Sequence, residues 1–170
     1  MAQVAEEVLP TEEEEKKLVI MFSSGDLESL WASLILATTG AAMAMRVTVF
    51  ATFWGLFPLV RNDRRVFGQN WMQKMMSLMN RGGTKHVRLS NFQFLGAGPK
   101  MMRSLAKRYK VASPTELMEM ARDMGVRLVP CQMTMDMMGM TKDDLIEGIE
   151  EPAGATTALL ETDGATTLFI

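Results

Sequence analysis

The sequence is poor in the side chains that run most redox and hydrolytic chemistry. Cys131 is the sole cysteine and His86 the sole histidine among 170 residues. One thiol cannot close an internal disulfide, so the fold does not depend on oxidation, and a reducing cytoplasm suits it. There is no CxxC pair and no cluster of cysteine with histidine, so no structural zinc site is expected. Nothing in the sequence asks for another metal or a cofactor. A dithiol oxidoreductase would need a second, resolving thiol. A cysteine–histidine hydrolase would need a base, and His86 lies in an irregular stretch where it reads as a surface or interface residue.

Charge of one sign is also scarce. The net charge is −2, and no basic stripe stands out, so nucleic-acid binding is not expected. "SSGDLES" at 23–29 has neither the GxxxxGK[ST] nor the GxGxxG spacing of a phosphate loop. The first residues lack a positive region followed by an apolar one, so no secretory signal is expected. Long apolar runs are missing too. Leu30–Met45 and Val47–Val60 are sixteen and fourteen residues, separated by Arg46. Each falls short of the roughly 20 needed to span a bilayer, and membrane association is not expected.

What remains is a globular composition, 48% apolar and 22% charged, of a length that fits one domain. Methionine is abundant, at 18 residues, and suits irregular interiors and adaptable contact surfaces. Residues 1–16, "MAQVAEEVLPTEEEEK", repel themselves and offer little to bury; they read as an acidic flexible tail before a domain at 17–170. Residues 18–22 form a short apolar run, hence a buried strand. Ser24 or Asp26 caps the helix that follows, which runs to about Met43. Val47–Thr52 is a second strand. Phe53, Trp54 and Gly55 then fall in a loop.

Residues 62–99 are the least regular part, an excursion with a Met-rich helical stretch near 70–80. "GPKMMRSLAKRYK" is a basic helix with Pro99 near its start. "SPTELMEMARDMG" carries Ser113 as cap, Pro114 at the first position, Glu116 to complete a capping box and Gly125 at the close. "VRLVP" at 126–130 is a strand. "TKDDLIEGIE" opens a short helix with Thr141 as cap, "EPAGATTALLETDG" is a helical turn or helix, and "ATTLFI" is a last edge strand. Strands alternating with helices indicate an α/β fold with a mostly parallel sheet.

In such a sheet, ligands bind outside the carboxyl ends of the strands. Ser23–Asp26, Phe53–Gly55 and the stretch from Cys131 onward all meet that condition. Cys131 opens "CQMTMDMMGM", and a helical turn after it would aim backbone N–H groups at the sulfur and favour the thiolate. The residues alone leave two readings open. Cys131 is either a small buried hydrophobe at a strand end or a nucleophile. A lone activated thiol is suited to accepting a group and handing it on through exchange at sulfur.

The blocks "KLVIMFSSGDLESLWASLILATTGAAMAMRVTVFATFWGL", "GAGPKMMRSLAKRYKVASPTELMEMARDMGVRLVPCQMTMDMMGM" and "DLIEGIE" resemble the DsrE/DsrF-like family of sulfur-relay proteins, in its sulfane-sulfur carrier subgroup. The resemblance covers about residues 17–160, and "CQMTMDMMG" is its most specific part. It implies a three-layer α/β/α sandwich, a homo-oligomer, and persulfide or thiosulfonate sulfur carried on Cys131 in oxidative sulfur metabolism. It also implies donor and acceptor proteins similar to rhodanese and TusA-like carriers. On that reading Ser24, Gly25, Phe53 and Trp54 line the pocket, while the N–H groups of Gln132, Met133 and Thr134 stabilise the anionic sulfur. Two alternatives stand beside it: a non-catalytic assembly subunit, and a redox sensor that forms an intermolecular disulfide through Cys131.

Overall fold

β1 (Lys17–Phe22) and β2 (Arg46–Ala51) pair in parallel, with Ile20 opposite Val49 and Phe22 opposite Ala51. The computed structural model describes residues 16–64, 68, 70–79, 81–91 and 96–170; the acidic stretch at 1–15 lies outside them. β3 (Arg127–Pro130) joins β2 in parallel, and β4 (Ala165–Phe169) joins β1 in parallel. The strand order is β3-β2-β1-β4. The chain therefore steps outward from β1 on one side and returns to place β4 on the other. Segment 150–153 lines the outer side of β3, where Glu150 N–H donates to Leu128 O and Ala153 N–H to Pro130 O. That contact covers an edge which would otherwise expose backbone groups.

Alternation along the strands sends side chains to two faces. Leu18, Ile20, Phe22, Val47, Val49, Ala51 and Leu128 enter the main core. Helix α1 (Leu27–Ala42) and helix α4 (Pro114–Asp123) cover that face with Leu30, Leu34, Ala37, Leu117, Met118 and Ala121. Fully burying one such Leu or Ile contributes about 1.5–3 kcal/mol. The small residues of α1 let it lie close to the sheet. A Cβ on Gly40 would come 2.8 Å from Leu18 Cδ2 and 3.0 Å from Val47 Cγ2. The opposite face carries Met21, Phe50 and Val129, packed with Ala158 of α6 (Ala155–Glu161) and with Cys131. The three layers are thus α1/α4, the all-parallel sheet, and α6, in a single domain.

The caps follow the sequence closely. Of the two candidates before α1, Asp26 takes the role: its carboxylate accepts from Ser29 N–H at 2.8 Å. Ser113 and Glu116 form the reciprocal capping box of α4, and Gly125 follows with φ +78°. The Met-rich stretch forms α2 (Trp71–Met79), and the basic stretch forms α3 (Ala97–Arg108). Expectations for residues 65–67, 69, 80 and 92–95 fall outside the described residues.

Two expectations change. Phe53–Gly55 do not form an open loop but begin a 3₁₀ helix, Phe53–Leu59, which buries Leu56, Phe57 and Leu59. The second apolar run is therefore divided between β2 and this helix. Among the described residues, no helix is long and apolar enough to cross a membrane. The helix foreseen from Thr141 starts with a capping box to Asp144 but shrinks to a 3₁₀ turn, Lys142–Asp144, because Leu145 turns extended to pair with Val60 and Ile146 N–H donates to Leu59 O at 2.9 Å.

Candidate functional site

Cys131 leaves the carboxyl end of β3 and is the N-cap residue of α5 (Gln132–Met138). Its N–H donates to Ala51 O at 2.9 Å and its carbonyl accepts from Met135 N–H at 3.0 Å. These bonds tie the residue to the neighbouring strand and to the helix it opens. The side chain is 7% exposed, in the smaller apolar cluster with Phe50, Val129 and Ala158. A thiol there faces two opposed influences. Burial disfavours the thiolate and is the largest single effect, pushing the pKa up. The Thr134 hydroxyl and N–H, the Thr52 hydroxyl and the Met133 N–H all favour the anion, and together they leave the pKa below its ordinary value. A depressed pKa raises the thiolate fraction, which is the reactive form.

The hydroxyls are held in place. Thr134 is 2% exposed, and its Oγ1 lies 3.1 Å from Thr52 Oγ1. Phe53 N–H donates to the same Thr134 oxygen at 3.1 Å. With that lone pair occupied, the Thr134 proton is directed to Thr52 or to the sulfur. Phe53 makes this contact from a left-handed backbone, with φ +45°. A non-glycine residue there costs about 1–3 kcal/mol and persists only where its surroundings enforce it.

Behind Phe53 the packing is tight. Gly55 N–H donates to Ser23 O at 3.1 Å, and a Cβ on Gly55 would lie 2.3 Å from Phe22 O. A Cβ on Gly25 would lie 2.7 Å from Trp54 Cβ. The loops after β1 and β2 therefore pack on each other, and the β2 loop is bonded to α5 through Thr134. Among the described residues no group of carboxylates, cysteine and histidine could hold a metal ion.

The residues anticipated from sequence divide into two sets. Cys131, Met133, Thr134 and Phe53 belong to one hydrogen-bonded unit. Gln132 departs from its expected role, because its N–H donates to Ala153 O at 3.0 Å and its side chain to Asp136 at 2.7 Å. Ser24 N–H is directed to Ile170 O at 3.4 Å, while Gly25 and Trp54 line a separate recess with Arg81, His86 and Arg88. The methionines after Cys131 also divide: Met135, Met138 and Met140 are buried in the main core, whereas Met133 is 69% exposed and Met137 is also exposed. Thr52 is the site residue that the sequence reading passed over. Its signal is positional: Ala51 pairs with Pro130, so Thr52, the residue after β2, lies beside Cys131.

An all-parallel four-stranded sheet between helical layers, with one hydroxyl-flanked thiol at a strand's carboxyl end, defines a small α/β protein with its single cysteine at the carboxyl edge of the sheet. The profile of the DsrE/DsrF/DrsH-like family matches residues 14–169, and the chain belongs to that family. It is 34% identical over 158 residues to "Uncharacterized protein YrkE" of Bacillus subtilis strain 168, covering 93% of this chain and 99% of that one. It is 33% identical over 145 residues to "Sulfur carrier protein DsrE2" of Allochromatium vinosum, covering 84% and 90%. The ychN protein from E. coli shares the fold, with a TM-score of 0.57 and 16% identity over 91% of this chain and 99% of that one.

Proposed function

We propose that this protein is a sulfur carrier that loads sulfane sulfur on Cys131 and delivers it to an acceptor thiol. The observation that carries the reading is the thiol itself: one cysteine at the carboxyl end of β3, its pKa lowered by Thr134, Thr52 and the Met133 N–H against the effect of burial. The family and the printed name of the Allochromatium relative support sulfur as the group carried. The Cys131 thiolate attacks the sulfane sulfur of a donor R–S–S⁻, forming Cys–S–S⁻ and releasing RS⁻. With thiosulfate the group released is sulfite. With tetrathionate the product is a cysteine thiosulfonate, Cys–S–S–SO₃⁻, and thiosulfate leaves. An acceptor thiolate then attacks the outer sulfur of the persulfide and regenerates the Cys131 thiolate. No net oxidation occurs.

The donor is thiosulfate, tetrathionate, a polysulfide or a partner protein's persulfide, and the acceptor is a thiol of a partner protein or small molecule, in a reducing compartment such as the cytoplasm, because an oxidising one would trap the lone thiol as a mixed disulfide. The carrier works as a homo-oligomer. β4 is a sheet edge with Phe169 exposed, and Leu159 and Leu160 of α6 are exposed as well. A second copy would cover these side chains; light scattering on the purified protein measures the assembly.

The carrier step is tested by incubation with thiosulfate, tetrathionate or polysulfide, followed by intact mass. The expected result is an adduct on the wild type, reversed by an acceptor thiol and missing from Cys131→Ser. An unmodified wild type with every donor, or equal loading of Cys131→Ser, overturns the reading.

A further inference from the structure

The loop after β1 opens on a recess of about 350 Å³ beside the thiol-bearing unit, and the sulfur-exchange chemistry leaves it unexplained. The strand order changes direction at β1, the position in open parallel sheets where ligand crevices form. Two arginines, Arg81 and Arg88, and His86 line the recess on one side. Trp54 and Phe57 line another, their rings stacked with centroids 5.7 Å apart. Asp26, also in the lining, caps α1, and Glu28 accepts from the N–H and hydroxyl of Ser90. The ion pairs among the described residues do not include Arg81.

His86 reports the local potential. Its pKa is lowered, first by burial, then by Arg81, with Arg103 and Lys85 adding to the effect, while the Gly82 carbonyl opposes it. Nδ1 lies 3.0 Å from Gly82 O, and a carbonyl only accepts, so Nδ1 carries the proton and Nε2 is the atom left to gain one.

We infer that this recess binds the oxoanion end of the sulfur donor, holding a sulfonate, sulfate-like or carboxylate group on Arg81, Arg88 and His86. The inference rests on the sulfur-carrier reading for the identity of the donor, but the site itself does not need Cys131. Guanidinium groups bind oxoanions by paired, charge-assisted hydrogen bonds, and the Trp54 indole suits a soft, polarisable sulfur. Trp54 follows Phe53, whose N–H is bonded to Thr134 beside the thiol. A donor anchored here sits on the same short 3₁₀ segment that orders the Cys131 environment.

The sole histidine makes the test direct. The His86 ring protons are followed by NMR against pH in buffer alone and with thiosulfate, sulfate or glutathione, each against chloride at matched ionic strength. Wild type and Cys131→Ser are both titrated. The expected result is a saturable rise of the His86 pKa with thiosulfate and sulfate in both proteins, because an anion replaces repulsion with attraction. A rise with glutathione alone supports the same oxoanion site with an organic donor. Arg81→Gln should weaken the binding by about tenfold, the worth of one charge-assisted contact, and should raise the His86 pKa of the free protein. Arg88→Gln serves as a second variant, with circular dichroism to establish that it folds. No saturable shift with any of the three anions beyond chloride overturns the inference. A shift that persists unchanged in Arg81→Gln overturns it too. If His86 responds while no donor loads Cys131, the recess stands and the carrier reading falls.

Discussion

Thr52 and Thr134 come from elements 82 residues apart in sequence, yet their hydroxyl oxygens lie 3.1 Å apart beside the only thiol. Each hydroxyl has one proton to give, and both favour the thiolate over the thiol. A valine at either position keeps the volume and removes the proton. Thr134→Val should slow alkylation of Cys131 by iodoacetamide at neutral pH by roughly tenfold, about 1.4 kcal/mol for one hydrogen bond to an anion. Thr52→Val should have the same direction and a smaller size, and Thr134→Ser should react nearly as the wild type does. The pH dependence of the alkylation rate checks this, with the rise moved to higher pH in both valine variants.

Gly55 sits where no side chain fits, because its Cβ would meet a strand carbonyl rather than a movable side chain. Gly55→Ala should destabilise the fold by about 1–3 kcal/mol, as overpacking does elsewhere. It should also loosen the Phe53–Thr134 contact. Urea denaturation measures the first effect and Cys131 alkylation the second.

Glu161 bonds Arg127 at 2.8 Å and lies 3.8 Å from Arg46, so it links α6 to β3 and to the start of β2. Arg127 foremost holds its pKa below the ordinary 4.5. A lowered folded value means that the ionised form stabilises the native state. This contribution is fully present above about pH 4.5 and is lost as pH falls through the lowered folded value. Glu161→Gln should therefore be less stable than wild type at pH 7, with the gap narrowing towards pH 3. Thermal denaturation at several pH values follows it.

Ser113→Ala removes the side-chain half of the α4 capping box and should cost about 1 kcal/mol. The loss should appear in the denaturation midpoint and leave Cys131 alkylation unchanged, since α4 covers the other face of the sheet.

The frame of the fold was legible because it depends on local rules. The apolar run in "KLVIMF", the cap at Ser113 with Glu116 three residues on, and the glycine that follows α4 are written in short windows. The position of Cys131 followed from one further rule, that chemistry gathers at the carboxyl ends of parallel strands. The surroundings of the thiol were harder to read, because they come from register. Thr52 becomes a neighbour of Cys131 only once β2 and β3 are paired with Ala51 opposite Pro130. Gln132 and Met133 look equivalent in sequence, but the 150–153 segment takes the first N–H and leaves the second to the sulfur. Arg81 and His86 are neighbours in "RGGTKH", but that Trp54 shares their recess depends on the tertiary fold.

The loop after β1 has a consequence for what this fold can host. The N–H groups of Ser23 and Ser24 both point to the carbonyl of Ile170, at 2.7 and 3.4 Å, and the Ser23 hydroxyl joins them at 3.3 Å. These are the donors with which a strand-to-helix turn would grip a phosphate. Here the far end of β4 fills the seat with an oxygen of the chain's own. A nucleotide would have to evict it, so the turn itself carries a built-in plug. An anion beside the loop after β1 must therefore be held by side chains rather than by these backbone N–H groups.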